Sequence, residues 1–192
     1  AWKFPENYEQ VLFARRLLEG EVLDPEDLAS QFDSVHAAGA CVLRDGPAWK
    51  AWYTGWNGRT EHAGGGLTRK VELRIGLATS SDGLAWVKIA GSAGAGAVLG
   101  LGEAGGPDSE CAAHPHVLAE GGTYRMWYEG CDGSAWRLLH AASSDGRAWT
   151  KHGVALDLGA RGSLDERGLR NPLVLKRKGR YELWYQGQSR FA

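Results

Sequence analysis

The stretch "YRMWYEG", Tyr124–Gly130, puts aromatic, basic, sulfur and acidic side chains next to one another and stops at a glycine. The chain writes it twice more, as "WKAWYTG" at 49–55 and "YELWYQG" at 181–187. In an extended strand, successive side chains point to opposite faces. Tyr124, Met126 and Tyr128 therefore share one face, and Arg125 and Trp127 the other. Bulk on both faces marks a middle strand packed on both sides. Trp52, Trp127 and Trp184 are then expected at equivalent buried positions between neighbouring sheets.

The repetition extends outward in both directions. Asp33–Gly55, Asp108–Gly130 and Asp165–Gly187 align without a gap. All share the leading Asp, a Val-Leu pair (Val42-Leu43, Val117-Leu118, Val174-Leu175), a polar Gly-containing turn and Trp-Tyr-x-Gly. A second unit follows the first two copies, "RIGLATSSDGLAWVK" at 74–88 and "RLLHAASSDGRAWTK" at 137–151. Each complete unit reads as four short strands: a turn-bounded apolar inner strand, the Trp-Tyr strand, a third strand, and an outer strand after a Ser-Ser-Asp-Gly turn. Inner strands are expected near 39–43, 114–118 and 171–175. Two Gly-rich insertions in the first copy read as surface loops.

Four-stranded sheets repeated along a chain are the signature of a β-propeller. The fold class is therefore all-β, with about two and a half blades: 33–107, 108–164, and a half blade at 165–192. Ahead of them, residues 1–32 are expected to be a short helical segment. "NYEQVLFARRLLEG" carries apolar residues near helical spacing, and "DPEDLAS" offers Asp24 as N-cap with Pro25 at the first helical position. Five blades at this spacing need roughly 290 residues. Either sequence beyond Ala192 or another chain is expected to cover the open side.

Composition narrows the function classes. The 192 residues carry 22 Lys and Arg against 23 Asp and Glu, a net charge of −1. Such balance gives no electrostatic footprint for nucleic acid or an anionic membrane surface. No apolar run approaches the ~20 residues of a membrane span, and no signal segment is visible. The compartment is left open. Cys41, Cys111 and Cys131 lack metal-site spacing and read as three reduced thiols.

The inner strand, the Trp-Tyr-x-Gly strand, the "SSDGxAWxK" hairpin and the Asp-led connection together resemble the five-bladed propellers of the arabinanase, levansucrase and invertase superfamily. "SSDGLAW" (80–86) and "SSDGRAW" (143–149) also resemble the sialidase Asp-box, one residue shorter, a structural turn in its own family. The resemblance covers residues 33–192 and implies a glycosyl hydrolase-like protein with carboxylates in a central funnel. It also implies acids at or beside the inner-strand prolines. Here that place reads Gly39, His114 and Asn171, none acidic.

The candidate catalytic acids therefore lie upstream. Asp33 and Asp108 recur, with Asp165, in every copy, so they either serve a funnel or make the same turn each time. Glu110 and Glu166 break the repeat and are the stronger functional candidates. His114 and His116 flank Pro115 and are expected on one strand face, as ligand-binding residues. Arg170 and Asn171 suit sugar hydroxyls or a carboxylate at the funnel mouth. Trp56 and Trp136 fall outside the repeated Trp positions and are candidates for stacking on a sugar. No metal set and no cofactor are assigned.

Three functions fit: a carbohydrate-related propeller with doubtful catalysis, a scaffolding subunit of a larger assembly, and an active glycoside hydrolase or phosphorylase. The partners implied are a carbohydrate and a protein covering the open side.

Overall fold

The structure, a computed structural model, describes residues 31–62 and 69–189. Residues 1–30, where the helical segment is expected, lie outside the described residues. Every regular element described is a β-strand. The first antiparallel unit comprises β1 (His36–Asp45), β2 (Ala48–His62), β3 (Arg69–Ser80) and the short β4 (Val87–Ile89). The second comprises β5 (Cys111–Glu120), β6 (Thr123–Cys131), β7 (Trp136–Ser143) and β8 (Thr150–Leu156). A third contains β9 (Gly168–Arg177) and β10 (Arg180–Gln188). The expected inner strands fall inside β1, β5 and β9.

Within each unit, neighbours in sequence pair antiparallel. Between units there is one parallel bridge each, Leu73↔Cys111 and Trp136↔Gly168. The result is one curled ten-stranded sheet whose units stack face against face. The main core fills the space between the first and second units. Trp52, Ile75 and Leu77 of the first meet Val117, Met126 and Leu139 of the second, all buried.

The Ser-Ser-Asp-Gly turns fold as their sequence suggests. Asp82 Oδ1 accepts from the backbone amides of Leu84 and Ala85, and Asp145 Oδ1 from those of Arg147 and Ala148. These donors hold both carboxyls below their ordinary range. The second turn also joins two units, because the Trp52 indole donates to the Gly146 carbonyl at 2.7 Å. Gly146 has φ +76°, and a Cβ there would approach the Trp52 ring to 2.7 Å. Only glycine meets both demands.

Trp52 and Trp127 pack against Tyr124 and Tyr181 of the following unit, with ring centroids 5.5 and 5.1 Å apart. Both are buried, as the repeat predicts. Trp184 departs from that expectation at 61 % exposed, because no described sheet packs on its side of β9–β10. Leu173, Leu175, Tyr181 and Tyr185 are exposed with it.

Candidate functional site

The site is built from a backbone irregularity that occurs once per inner strand. Pairing with the middle strand shifts between Ala38 and Cys41, between Ala113 and His116, and opposite Trp184–Gln186 in the third unit. At each bulge one residue is left-handed: Gly39 at φ +59°, His114 at +45° and Asn171 at +51°. Glycine tolerates this region freely, and Asn and His are the side chains enriched there. Gly39 has a second constraint, since a Cβ would come within 2.6 Å of the His114 ring.

The bulges face the variable residue of Trp-Tyr-x-Gly, namely Thr54, Glu129 and Gln186. The His114 amide donates to Thr54 Oγ1 of the preceding unit at 2.8 Å. The Asn171 amide donates in the same way to Glu129 Oε1. Within the third unit, the Asn171 side-chain amide donates to Gln186 Oε1 at 2.9 Å. The x residue of one unit therefore receives the bulge amide of the next.

Glu129 turns this structural link into a charged hub. It is fully buried. Arg170 Nε donates to its Oε2 at 2.7 Å, and His114 Nδ1 lies 3.0 Å from the same oxygen, within ion-pair range but off the line of a hydrogen bond. The Arg170 guanidinium lies over the Trp136 ring, 3.8 Å from its centroid. Four sequence-predicted residues, His114, Arg170, Asn171 and Trp136, are thus gathered by a carboxylate the sequence reading missed. A signal for it existed. Glu129 is an acid in one copy where the others carry Thr54 and Gln186, the same criterion that singled out Glu110 and Glu166.

The two histidines do not share a face. The bulge breaks the alternation, so His114 turns to Glu129 while His116 Nε2 meets the Val174 carbonyl of β9 at 2.9 Å. Burial holds His116 below the ordinary imidazole range, which keeps it neutral. Trp56 is half-buried within β2, paired with His36 and Leu73.

The repeated Asp residues take one structural arrangement. Asp33 accepts from the Tyr53 hydroxyl at 2.7 Å, Asp108 from Tyr128 at 2.8 Å and Asp165 from Tyr185 at 2.8 Å. Lysines of the "AWxK" strands add a charge: Lys88 Nζ lies 2.8 Å from Asp33, and Lys151 Nζ 2.6 Å from Asp108. Burial and the adjacent carboxylates push the Tyr53 and Tyr128 hydroxyls far up, so both remain donors. Glu110 immediately precedes β5, its amide donating to the Cys131 carbonyl and its carboxylate against Gly133. Glu166 accepts from the Gly162 amide and lines a surface cleft of about 400 Å³ with Arg161 and Arg167.

A curled sheet of repeated antiparallel units, with a polar cluster where the inner strands bulge, defines a propeller-like fold. Solved structures agree. The chain resembles Zg3597, a family 117 glycoside hydrolase of Zobellia galactanivorans, with a TM-score of 0.66 at 19% identity, over 90% of this chain and 53% of that one. It resembles the Bombyx mori GH32 β-fructofuranosidase BmSUC1 with a TM-score of 0.58 at 19% identity, over 78% and 29%. A structure described with the GH130 family of mannoside phosphorylases matches with a TM-score of 0.56 at 18% identity, over 81% and 45%. At these identities the likeness is one of fold. No family model matches the chain. Among curated sequences, the uncharacterized proteins Rv1502 and MT1551 of Mycobacterium tuberculosis are each 29% identical, over 159 and 161 residues. These alignments take in 77% and 80% of this chain but 45% and 48% of the relatives, so the chain spans about half their length. No helix among the described residues is long and apolar enough to cross a membrane.

Proposed function

We propose that the chain carries two and a half blades of a five-bladed propeller of the arabinanase, levansucrase and invertase type, bounded at 33–107, 108–164 and 165–192. In this proposal it binds a carbohydrate at the inner-strand bulges without turning it over. The observation that carries the proposal is the Glu129 hub. One buried carboxylate holds Arg170 and Asn171 from β9, with the His114 ring of β5 beside it. The exposed Asn171 side chain, the partly exposed Arg170 and His114, and the Trp136 ring then form a rigid polar and aromatic set. Planar donors beside an aromatic face suit sugar hydroxyls and a pyranose ring.

The loss of turnover rests on the acids. The bulge positions carry no carboxylate, Glu129 accepts from Arg170 on one oxygen and from the Asn171 amide on the other, and Asp33 and Asp108 are each bound by a tyrosine and a lysine. A general acid or base must reach the substrate and exchange a proton. Glu110 favours the second reading, an active hydrolase or phosphorylase, because it breaks the repeat at the entrance to β5. The exposed Leu173, Leu175, Trp184 and Tyr185 favour the third, a scaffold whose partner covers β9–β10.

The test combines binding and turnover. Wild type and Asn171→Gly, which keeps the left-handed backbone, are titrated with arabinan, fructan and mannoside oligosaccharides. Wild type, Glu110→Gln and Asp108→Asn are assayed on those substrates and on aryl glycosides. Binding that Asn171→Gly weakens by about tenfold, with no turnover, supports the proposal. Turnover that Glu110→Gln lowers by about 10²-fold or more establishes the enzyme reading instead.

A further inference from the structure

The second unit carries a cysteine pair that neither neighbouring unit has. Cys111 opens β5, Cys131 closes β6, and the two are register partners. The same positions hold His36 and Trp56 in the first unit and Gly168 and Gln188 in the third, likewise paired. The pair is therefore not part of the repeat's packing rule.

Residues directly opposite on antiparallel strands have Cα atoms roughly 4.5–5.5 Å apart. That lies inside the roughly 4.4–6.8 Å a disulfide spans. As register partners, the two side chains leave the same face of the strand pair. The Gly133 amide donates to the Cys131 sulfur at 3.2 Å. A backbone donor on a sulfur favours its thiolate, the nucleophilic form, and the neighbouring Cys111 first, with this amide, holds Cys131 below its ordinary range. Cys111 is pushed well above its ordinary range by its neighbour Cys131 and by burial. Cys41 is separate: it exchanges contacts with the backbone of Val117, and burial pushes its thiol up.

We propose that Cys111 and Cys131 are a redox-modifiable dithiol, which a peroxide converts to a cross-strand disulfide. The Cys131 thiolate attacks a peroxide oxygen, the O–O bond breaks, and the departing hydroxide takes a proton to leave as water. This makes a sulfenic acid at Cys131. Cys111 then attacks that sulfur, loses its proton and expels a second water as the S–S bond forms. Two thiols are oxidised by two electrons and one peroxide is reduced to two waters. Both cysteines are under a tenth exposed, at 4% and 7%, so only a small oxidant reaches them. The bond would clamp together the strands that bear His114 and Glu129.

The test uses the whole chain with hydrogen peroxide as oxidant, followed by thiol titration under denaturing conditions, intact mass and a peptide map. The expected result is loss of two of the three thiols, a mass about 2 Da lower, and a linked Cys111–Cys131 peptide that dithiothreitol releases. Cys41→Ser is expected to behave alike, ending with no free thiol. Three thiols surviving, a bond to Cys41, a bond between chains, or oxygen addition at Cys131 without a bond would each overturn the proposal. Cys111→Ser provides the complement, since oxidised Cys131 should then stop at the sulfenic acid and react with dimedone.

Discussion

Removing the Asp108 carboxylate tests whether the repeated Asp is a structural tether. In Asp108→Ala the buried Tyr128 hydroxyl loses its 2.8 Å acceptor. A hydrogen bond to a charged group contributes about 1.5–3 kcal/mol, and an orphaned buried polar group costs about 1–3 kcal/mol. Lys151 adds little, because it is part-exposed and retains the Gly100 carbonyl at 2.8 Å. The expected loss is about 3–4 kcal/mol by urea denaturation at neutral pH. Adding Tyr128→Phe removes the orphan, so the double variant should be more stable than Asp108→Ala by about 1–2 kcal/mol. Asp165→Ala breaks the same motif at an exposed tyrosine and should cost much less. A loss at Asp108 under about 1 kcal/mol, or strict additivity with Tyr128→Phe, would refute the tether.

Further outcomes follow from burial and charge. Trp127→Ala should cost about 3–5 kcal/mol, the range for truncating a buried large aromatic, whereas exposed Trp184 should tolerate the change within about 1 kcal/mol; chemical denaturation compares them. His116 is neutral when folded because its pKa is depressed by burial, and the unfolded chain takes up its proton near pH 6.5. Stability should therefore fall as pH drops from about 7 to 5, and His116→Gln should flatten that slope in pH-dependent melting. Asp132 runs through a lower window. The Ser134 hydroxyl, the Ser134 and Ala135 amides and Arg137 outweigh its partial burial and depress it, so Asp132→Asn should lower stability at pH 7 and the difference should vanish as pH falls towards 2.

The architecture was legible because the repeat carries it locally. Trp-Tyr-x-Gly, the Val-Leu pair and Ser-Ser-Asp-Gly each specify a strand or turn through nearby residues, and β1, β5 and β9 appear where these patterns put them. The site was less legible because a bulge assembles it. A strict two-residue period puts His114 and His116 on one face, and a single left-handed residue undoes that. The hint lay in the column Gly39, His114, Asn171, three residue types that share tolerance for positive φ. Glu129 was hidden by its motif, since a residue between Trp-Tyr and Gly reads as core until its acid is compared with Thr54 and Gln186. The exposure of Trp184 depends on a neighbouring sheet, which no local pattern encodes.

The central claim, a carbohydrate site organised by Glu129, is tested most directly by titrating ¹⁵N-labelled protein with arabinan, fructan and mannoside oligosaccharides. The signals to follow are the Trp136 indole and the Asn171 side-chain amide. The account predicts saturable shifts at both with one oligosaccharide class, lost in Glu129→Gln while the Trp52 indole stays in its folded position. Oligosaccharide shifts confined to other surfaces, or none with any class, would contradict it.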